Sequence, residues 1–373
     1  MDALMLPLNW QRVRLGDIGK PCMCKRVMKH QTTRYGEIPF YKIGTFGNTA
    51  DAFISKKLFL EYKTKYSFPK KGDILISASG TIGRAVIYDG KPAYFQDSNI
   101  VWIDNDETLV KNDFLFYAYS NVKWNTEHTT ILRLYNDNFR NTLIPLPSLN
   151  EQIAIANILS ALDRYLCALD ALILKKEGVK KALSFELLSQ RKRLKGFNQA
   201  WQRVRLGDIT NYLTSNLSVE QITQQGKIKV YDVNNFIGYT DTTFISDKPY
   251  ISIVKDGSVG RVRILPPKTN ILSTMGALIA NHRTTTEFLF YLLSNFDFKN
   301  FTSGSIIPHI YFKNYKEKTI FLPPLNEQSA IANILSALDN EIASLKNKKR
   351  QFENIKKALN HDLMSAKIRV LKK

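Results

Sequence analysis

Two stretches of this sequence occur twice, and this repetition constrains the fold more than any other feature of the chain. Residues 10–18, Trp-Gln-Arg-Val-Arg-Leu-Gly-Asp-Ile, return letter for letter as residues 201–209, at an offset of 191. Residues 150–163 return as residues 326–339 with a single difference, at an offset of 176. The chain is therefore one unit written twice, and the second copy is fifteen residues shorter between two matching ends.

The middles of the two copies differ, but two short echoes keep their order. Residues 40–43, Phe-Tyr-Lys-Ile, resemble residues 230–233, Val-Tyr-Asp-Val. Residues 80–84, Gly-Thr-Ile-Gly-Arg, resemble residues 257–261, Gly-Ser-Val-Gly-Arg. Both middles are therefore predicted to share one fold, with the shortening between the two echoes.

The first part of each unit, which we call the reader, has the pattern of a mixed α/β domain. In the first copy, residues 72–76, 84–88 and 99–103 are short β-branched or aromatic runs between Gly, Asp and Ser turns, which predicts strands. Residues 113–121 favour a short helix. A mixed α/β fold is therefore expected for both readers.

The second part of each unit begins at Asn150 or Asn326 and has the apolar spacing of a coiled coil. The pattern predicts two helices of about 45 residues, each about 65 Å long, which pair antiparallel so that the two readers are equivalent. A polar interruption falls at Lys176 and Lys180. The predicted coiled-coil positions are Leu159, Leu162, Leu166, Leu169, Leu335, Leu338, Ile342 and Leu345. The predicted domains are residues 1–148 and 197–324 for the readers, and 149–196 and 325–373 for the long helices.

Charge and cysteine content indicate the partner and the compartment. Lys and Arg number 53 against 33 Asp and Glu, a formal net charge of +20, which favours a polyanionic partner such as nucleic acid. Residues 175–195 carry eight Lys or Arg against two acidic residues, and residues 346–373 carry ten against two. These stretches are either solvated helix surface or a surface for phosphates or a docking partner. Three cysteines, no signal peptide pattern and no long apolar run predict a cytoplasmic protein without a membrane segment.

The sequence lacks the motifs of several enzyme classes. It has no Gly-x-x-x-x-Gly-Lys-Ser/Thr loop and no Gly-x-Gly-x-x-Gly turn, so it is not expected to bind ATP or a dinucleotide. Pro266-Pro267 follows Leu265 and precedes Lys268, which is not the Asn/Asp-Pro-Pro-aromatic motif of amino-methyltransferases. We therefore predict no catalytic residue in the chain.

Two groups of residues could be interpreted as metal sites, and both interpretations are disfavoured. Asp51 with Glu61-Tyr62-Lys63 fits the acidic-x-Lys pattern of metal-dependent nucleases, but the second unit has no matching segment. Cys22, Cys24 and His30 offer three ligands without a fourth at zinc spacing. No metal site is predicted, and Cys167, beside the helix seam, is predicted to be a small buried apolar residue.

Candidate DNA-binding residues cluster around the glycine-flanked turns and nearby polar segments of the readers. Such a turn can approach DNA closely, and an Arg that follows it can grip a guanine edge, although a plain hairpin turn explains the glycines equally well. The candidates are Lys42, Thr45, Ser79, Thr81, Arg84, Arg133, Asn234, Ser258, Arg261, Arg263, Ser305, His309 and Lys313.

With its doubled Trp-x-x-x-x-Leu-Gly-Asp-Ile openings and doubled Leu-Asn-Glu-Gln helix starts, the chain resembles the specificity subunits of type I restriction-modification enzymes over essentially its whole length. The resemblance implies a subunit without catalytic activity, in which each of two target-recognition domains reads one half of a bipartite site in double-stranded DNA. It implies that the helices set the spacer and dock two modification (methyltransferase) subunits. S-adenosylmethionine, ATP and Mg²⁺ are then expected on the modification and restriction subunits and not on this chain.

Two alternatives from other classes stay open. One is a self-contained nuclease or nuclease-methyltransferase, which the absent motifs oppose. The other is a coiled-coil scaffold that binds only proteins, which would show no preference between a specific and a random duplex.

Overall fold

The computed structural model describes residues 10–128 and 132–370 and divides the chain into two compact units. The first unit contains the residues through Leu169 and those from Lys348 onwards, and the second runs from Asp170 to Asn347. Each unit thus consists of one reader, half of one long helix and the opposite half of the other. No helix in the described residues is long and apolar enough to cross a membrane.

The first copy contains eleven strands and five helices among the described residues. Its strands are β1 (Gln11–Arg14), β2 (Gly19–Met23), β3 (Ile38–Tyr41), β4 (Phe53–Ile54), β5 (Ile74–Ser77), β6 (Ala85–Ile87), β7 (Tyr94–Phe95), β8 (Ile100–Asn105), β9 (Glu127–His128), β10 (Leu132–Arg133) and β11 (Leu143–Leu146). Its helices are α1 (Leu15–Ile18), α2 (Lys56–Lys65), α3 (Asn112–Tyr119), α4 (Asn136–Asn141) and α5 (Leu149–Leu188).

The second copy repeats this strand order with three α-helices among the described residues, and a 3-10 helix at Leu206–Asp208 takes the place of α1. Its strands are β12 (Gln202–Arg205), β13 (Thr210–Thr214), β14 (Ile228–Tyr231), β15 (Phe236–Thr240), β16 (Tyr250–Val254), β17 (Val262–Leu265), β18 (Thr269–Ile271), β19 (Met275–Ala280), β20 (Thr302–Ser303), β21 (His309–Ile310) and β22 (Thr319–Leu322). Its helices are α6 (Thr286–Ser294), α7 (Phe312–Tyr315) and α8 (Leu325–Met364).

The sheets of the two readers correspond strand for strand. The first reader has a four-stranded antiparallel sheet of order β2-β8-β5-β6, and the second has β13-β19-β16-β17. Three-stranded sheets, β4-β3-β7 and β15-β14-β18, lie beside them, each with one parallel pair. The prediction that the divergent middles share one mixed α/β fold is therefore confirmed.

The missing residues of the second copy fall mainly in one connection. In the first reader, residues 55–73 connect β4 to β5 and include helix α2, with Ser55 accepting a hydrogen bond from the Leu58 N–H as its N-cap. In the second reader, only residues 241–249 connect β15 to β16, and they form no helix. The shortening therefore lies between the two echoes, as predicted.

Both long helices are somewhat shorter than the sequence pattern predicted. Each has 40 residues, because the chain turns out of the helix two residues after Leu188 and Met364. Gln190 (φ 64°) and Ala366 (φ 56°), which are equivalent at the offset of 176, both have left-handed backbone conformations that a helix cannot continue through. Leu194 and Val370 therefore lie beyond the helix ends, although both still pack on the core of their own unit.

The two long helices run antiparallel in each unit, as predicted. In the first unit, Glu151 contacts Arg369, whereas Tyr165 contacts Phe352, so one residue number rises as the other falls. In the second unit, Lys176 Nζ lies 2.8 Å from Glu341 Oε1, and Arg193 contacts Glu327. Ion pairs of Lys176 and its neighbours explain why the apolar seam is interrupted by lysines.

The burial of the seam residues follows the heptad pattern unevenly. Leu159, Leu169, Leu335 and Ile342 are buried. Leu162, Leu166, Leu338 and Leu345 are half-buried, as expected for a two-helix seam with open flanks. Cys167 is exposed, so the prediction that it is a buried apolar residue was wrong; it lies on the outer face of α5.

Candidate nucleic-acid interface

The doubled sequence ends meet in space and form a joint between each reader and its long helix. Strand β1 of the first opening pairs antiparallel with β11, which leads directly into α5. Strand β12 of the second opening pairs in the same way with β22, which leads into α8. The two ends of each copy of the repeat therefore form one structure. This explains why both ends keep their sequence in both copies.

A buried glutamate is the centre of each joint. Glu151 accepts a hydrogen bond from Trp10 Nε1 at 3.0 Å and from Arg369 Nε at 2.6 Å. Glu327 accepts the matching bonds from Trp201 Nε1 at 2.9 Å and from Arg193 Nη2 at 2.6 Å. The Glu side chains are 2% and 1% exposed, so each carboxylate depends on its arginine for charge compensation.

The adjacent glutamine links the start of the long helix to two backbone segments of the reader. Gln152 Nε2 donates to the carbonyls of Leu109 and Pro147, both at 2.9 Å, and its Oε1 accepts from the Lys111 N–H at 2.8 Å. Gln328 does the same in the second unit, donating to Arg283 and Pro323. The Asn-Glu-Gln motif thus holds the reader on the helix.

A tyrosine–aspartate–lysine group also belongs to each joint, with the tyrosine on a helix of the reader and the aspartate and the lysine on the two long helices. Tyr117 on α3 donates to Asp163 at 2.7 Å, and Lys356 from the other helix also contacts Asp163. Tyr291 and Asp339 repeat the contact at 2.9 Å, with Lys180 at 2.5 Å. Burial, together with the bond to the carboxylate, raises the pKa of both tyrosines above the ordinary value. Both phenols therefore stay protonated donors beyond the pH at which a free tyrosine ionises.

In the first reader, Arg84 connects the glycine turn to a second candidate segment. Its guanidinium Nη2 lies 3.3 Å from the Gly47 carbonyl and 3.4 Å from Asn48 Oδ1. Thr45 closes the same turn by bonds to Lys42, whose Nζ is 2.8 Å from Asp51. The structure therefore brings Lys42, Thr45 and Arg84 together.

Ser79 and Arg133 are neighbours in the first reader but are occupied by internal contacts. Their backbones form a bridge, and both side chains reach Asn99, from Ser79 at 2.8 Å and from Arg133 at 3.3 Å. Arg133 also donates to the Ser98 carbonyl at 2.8 Å. Ser79 is buried, whereas Thr81 at the turn tip is exposed. Thr81 and Arg84 are thus the more accessible candidates here.

The glycines of both turns have structural reasons of their own. Gly83 (φ 82°) would place a Cβ 2.0 Å from Trp124 Nε1, and Gly260 (φ 80°) would place one 2.6 Å from Phe298 Cδ2. Any larger residue would clash in addition to being strained. The turn geometry therefore accounts for the glycines, and the exposed hydroxyl and arginine at each turn remain the candidates for contact.

In the second reader, Arg263 takes the place that Arg84 has in the first. Its Nη1 donates to the Asn234 carbonyl at 2.9 Å, and its guanidinium lies 5.3 Å from the centre of the Tyr231 ring. The Asn234 turn is itself closed by Asp232. Arg261, the sequence equivalent of Arg84, is exposed. The loop after β3 and the loop after β14 are thus each bonded by an arginine, but the two arginines stand at different positions after the glycine turn.

The other candidates of the second reader surround the hairpin β20–β21. His309 Nδ1 lies 2.6 Å from Asp256 Oδ1, and Lys313 Nζ lies 5.6 Å from the centre of the exposed Tyr311 ring. Ser305 is exposed at the hairpin tip, and Ser258 is exposed on the neighbouring glycine turn. The Gly257 N–H donates to the Pro308 carbonyl at 2.9 Å, which fastens turn and hairpin together.

Several residues of these surfaces were not identified from sequence. The arginines of the two joints, Arg193 and Arg369, could have been found because they are equivalent at the offset of 176. Asn99 follows a polar turn without any motif. The exposed pair Ile306 and Ile307 at the hairpin tip was overlooked because apolar residues in a short run predict burial.

The residues of the two disfavoured metal interpretations have other contacts. Asp51 pairs with Lys42, and Glu61 pairs with Lys65 one turn along α2 at 3.0 Å. Cys24 is buried in the core of the first reader. Within residues 10–128 and 132–370, no group of three or more His, Cys, Asp or Glu side chains could hold a metal ion.

Part of the basic charge on the long helices is neutralised within its own unit. Lys176, Lys180 and Arg193 pair with acidic residues of α8, and Lys346 pairs with Glu177 at 2.6 Å. Lys356 and Arg369 are paired with α5 in the same manner. The net charge of these stretches therefore overstates the free positive charge on their surface.

A family model, known proteins and a solved structure that resemble this chain all come from one class of protein. Residues 7–176 and 198–354 match the family model of the type I restriction modification DNA specificity domain. A Haemophilus influenzae protein described as a type I restriction enzyme specificity subunit is 61% identical over 152 residues, which are 40% of each chain. The type I restriction enzyme MjaVIII specificity subunit of Methanocaldococcus jannaschii is 25% identical over 99% of this chain and 95% of its own. The crystal structure of a type I restriction-modification S subunit from M. genitalium shares the fold, with a TM-score of 0.64, 20% identity and coverage of 98% of this chain and 99% of that one. Because the family model covers both copies of the repeat, this chain belongs to the type I restriction-modification DNA specificity subunits.

Proposed function

We propose that each reader of this specificity subunit recognises one half of a bipartite site in double-stranded DNA. The observation that supports this most directly is the contrast between joints and readers. The joints repeat the same contacts in both units, whereas Ser79 and Arg133 of the first reader correspond to Asp256 and His309 of the second. Two heads that share a fold and differ at their polar surface suit two different half-sites.

The long helices set the distance between the half-sites in this proposal. They are of equal length and keep one register, so a heptad removed from both would preserve their pairing. Seven residues correspond to about 10 Å of helix, or about three base pairs at 3.4 Å each. The spacer is therefore expected to shorten by about three base pairs in a matched double deletion.

The matching joints and helices also present two similar surfaces for two copies of one partner. We assign this surface to two methyltransferase subunits, with restriction subunits joining the assembly. The chemistry then belongs to the partners, which bind S-adenosylmethionine, ATP and Mg²⁺. This chain binds DNA and catalyses no reaction itself. The whole assembly works in the cytoplasm.

The proposal is tested by deleting residues 168–174 together with 344–350 and comparing the recognised sites after assembly with the methyltransferase subunits. We expect both half-sites to be unchanged and the spacer to be about three base pairs shorter. A deletion from one helix only is the control, because it breaks the pairing register. An unchanged spacer after the double deletion would contradict the role of the helices.

A scaffold that binds only proteins is the competing function. This function would be established if the wild-type complex bound a random duplex as tightly as the duplex that it methylates, at moderate salt. DNA cleavage or methyl transfer by the purified chain alone would instead support the nuclease-methyltransferase alternative.

A further inference from the structure

The tip of the hairpin β20–β21 in the second reader carries two adjacent isoleucines with little cover. Ile306 is 93% exposed, more than any other large apolar residue in the described part of the chain, and Ile307 is 56% exposed. Removing an isoleucine side chain from water is favourable, so leaving two of them exposed forgoes that stabilisation. The exposed pair therefore contributes little to the core of this reader, which points to a contact with another molecule.

The hairpin base is fastened to the rest of the reader. Its strands pair Thr302 with Ile310 and Ser303 with His309. The Ile310 N–H donates to the Lys255 carbonyl at 2.9 Å, beside the bond from the Gly257 N–H to the Pro308 carbonyl. The isoleucines therefore project from a base that is held in place by the glycine turn.

The charge around the tip fits a polyanion. Residues 299–316 contain three lysines and no Asp or Glu. The neighbouring acidic groups are paired, Asp256 with His309 and Glu317 with Lys316 and Arg205. Lys313 lies over the exposed ring of Tyr311, which also stacks with His309 at 6.5 Å between ring centres. Protein interfaces are poor in lysine at their centres, whereas nucleic-acid interfaces combine cations with aromatic and apolar groups. The surroundings of the tip therefore favour a DNA duplex over a protein.

We infer that Ile306 and Ile307 enter the major groove of the half-site read by the second reader and contact the C5-methyl group of a thymine. This inference rests on the proposed function. Isoleucine has no hydrogen-bonding side-chain group, so it cannot read the donors and acceptors of a base edge. The thymine methyl is the apolar group that base edges display in the major groove, and it is absent from the minor groove.

The experiment uses the complex with the methyltransferase subunits and duplexes that carry its mapped target. Each thymine of the second half-site is replaced in turn by uracil, which lacks only the C5-methyl group. At one or two positions, we expect the wild-type Kd to rise about fourfold, the effect of one methyl group removed from an apolar contact. In the double variant I306A/I307A, the thymine duplex should bind more weakly and the uracil substitution should change nothing further.

Two controls separate the contact from general effects. V219A removes an apolar side chain that is 65% exposed elsewhere in the same reader, and it should keep the wild-type response to uracil. Uracil in the first half-site should have the same effect in wild type and in I306A/I307A. Because the isoleucines are exposed, the double variant should unfold at the wild-type temperature.

Several results would overturn the inference. A half-site without thymine, or a uracil response that is equal in wild type and in I306A/I307A, would exclude the methyl contact. Fluorescence of 2-aminopurine that rises on binding, without any uracil response, would assign the isoleucines to a wedge between base steps. Loss of methyltransferase assembly in the double variant, with an unchanged uracil response, would assign them to a protein contact. Failure of the proposed function is distinct, because the wild-type complex would then not prefer its target to a random duplex.

Discussion

Removal of the arginine from either joint should strongly destabilise the unit that contains it. Arg369 donates two bonds to Glu151, from Nε at 2.6 Å and from Nη2 at 3.2 Å. In R369A, the carboxylate keeps the Trp10 bond but loses its counter-charge while only 2% exposed. Breaking a buried pair in this way costs about 3–5 kcal/mol. Since the arginine itself is 28% exposed, water can partly replace it, and we expect about 3 kcal/mol.

The equivalent variant in the second unit provides a built-in replicate. R193A removes the partner of Glu327, whose contacts repeat those of Glu151, so it should cost about the same. K65A breaks an exposed pair with Glu61 on α2, which water and salt screen, so it should change the stability very little. Urea unfolding followed by circular dichroism and tryptophan fluorescence measures all three.

A second substitution tests whether the buried charge is the cause. E151Q keeps an acceptor for Trp10 Nε1 but removes the charge, so E151Q/R369M should be more stable than R369M alone. The reasoning is refuted if R369A and R193A destabilise no more than K65A, or if E151Q adds to the loss caused by R369M.

Three further predictions concern other parts of the chain. G83A should lower the stability by about 2 kcal/mol or more, through clash with Trp124 and a strained φ. G178A, in the middle of α5 with open space around the new Cβ, should raise it by about 1 kcal/mol, and the opposite signs of the two Tm shifts are the check. A thiol reagent should modify exposed Cys167 quickly in the native protein and leave Cys24 unmodified until the protein unfolds. Burial hides the Cys24 thiol and raises its pKa to about 12, so little reactive thiolate forms. Rapid modification of Cys24 in the native protein would contradict its burial. Tyr117 and Tyr291 have raised pKa values in the folded state, so the stability that they contribute is complete below pH 10, the ordinary tyrosine value, and is lost as the pH rises through the folded pKa. Thermal unfolding from about pH 9 to about pH 12 should show a steeper decline above pH 10 in wild type than in Y117F/Y291F, and equal slopes there would argue against this linkage.

The repeat made much of the fold predictable, because it contains the physical contacts of the joint. Residues that must meet at one structure, such as Trp10, Glu151 and Gln152, were kept in both copies, so the sequence marked them before their contacts were known. Three strands and one helix of the first reader, β5, β6, β8 and α3, followed from short apolar runs between turns. The antiparallel helix pair followed from the register of its leucines.

Other features depended on tertiary contacts that no local pattern records. The long helices end early because Gln190 and Ala366 adopt left-handed conformations, although the heptad pattern continues beyond them. Arg133 and Ser79 turned out to be engaged with Asn99, which is distant in sequence from Arg133. The exposed isoleucines were missed because the exposure of a side chain at a hairpin tip depends on whether another segment of the folded chain packs over it, which the local sequence does not show.

The central claim is that each reader specifies one half of the DNA site independently of the other. It is tested most directly by replacing residues 11–145 with the corresponding reader of a related subunit and mapping the bases that the assembled complex methylates. The account predicts that one half of the bipartite site changes, while the other half and the spacer stay as they are. A change in both halves after this single exchange would contradict it.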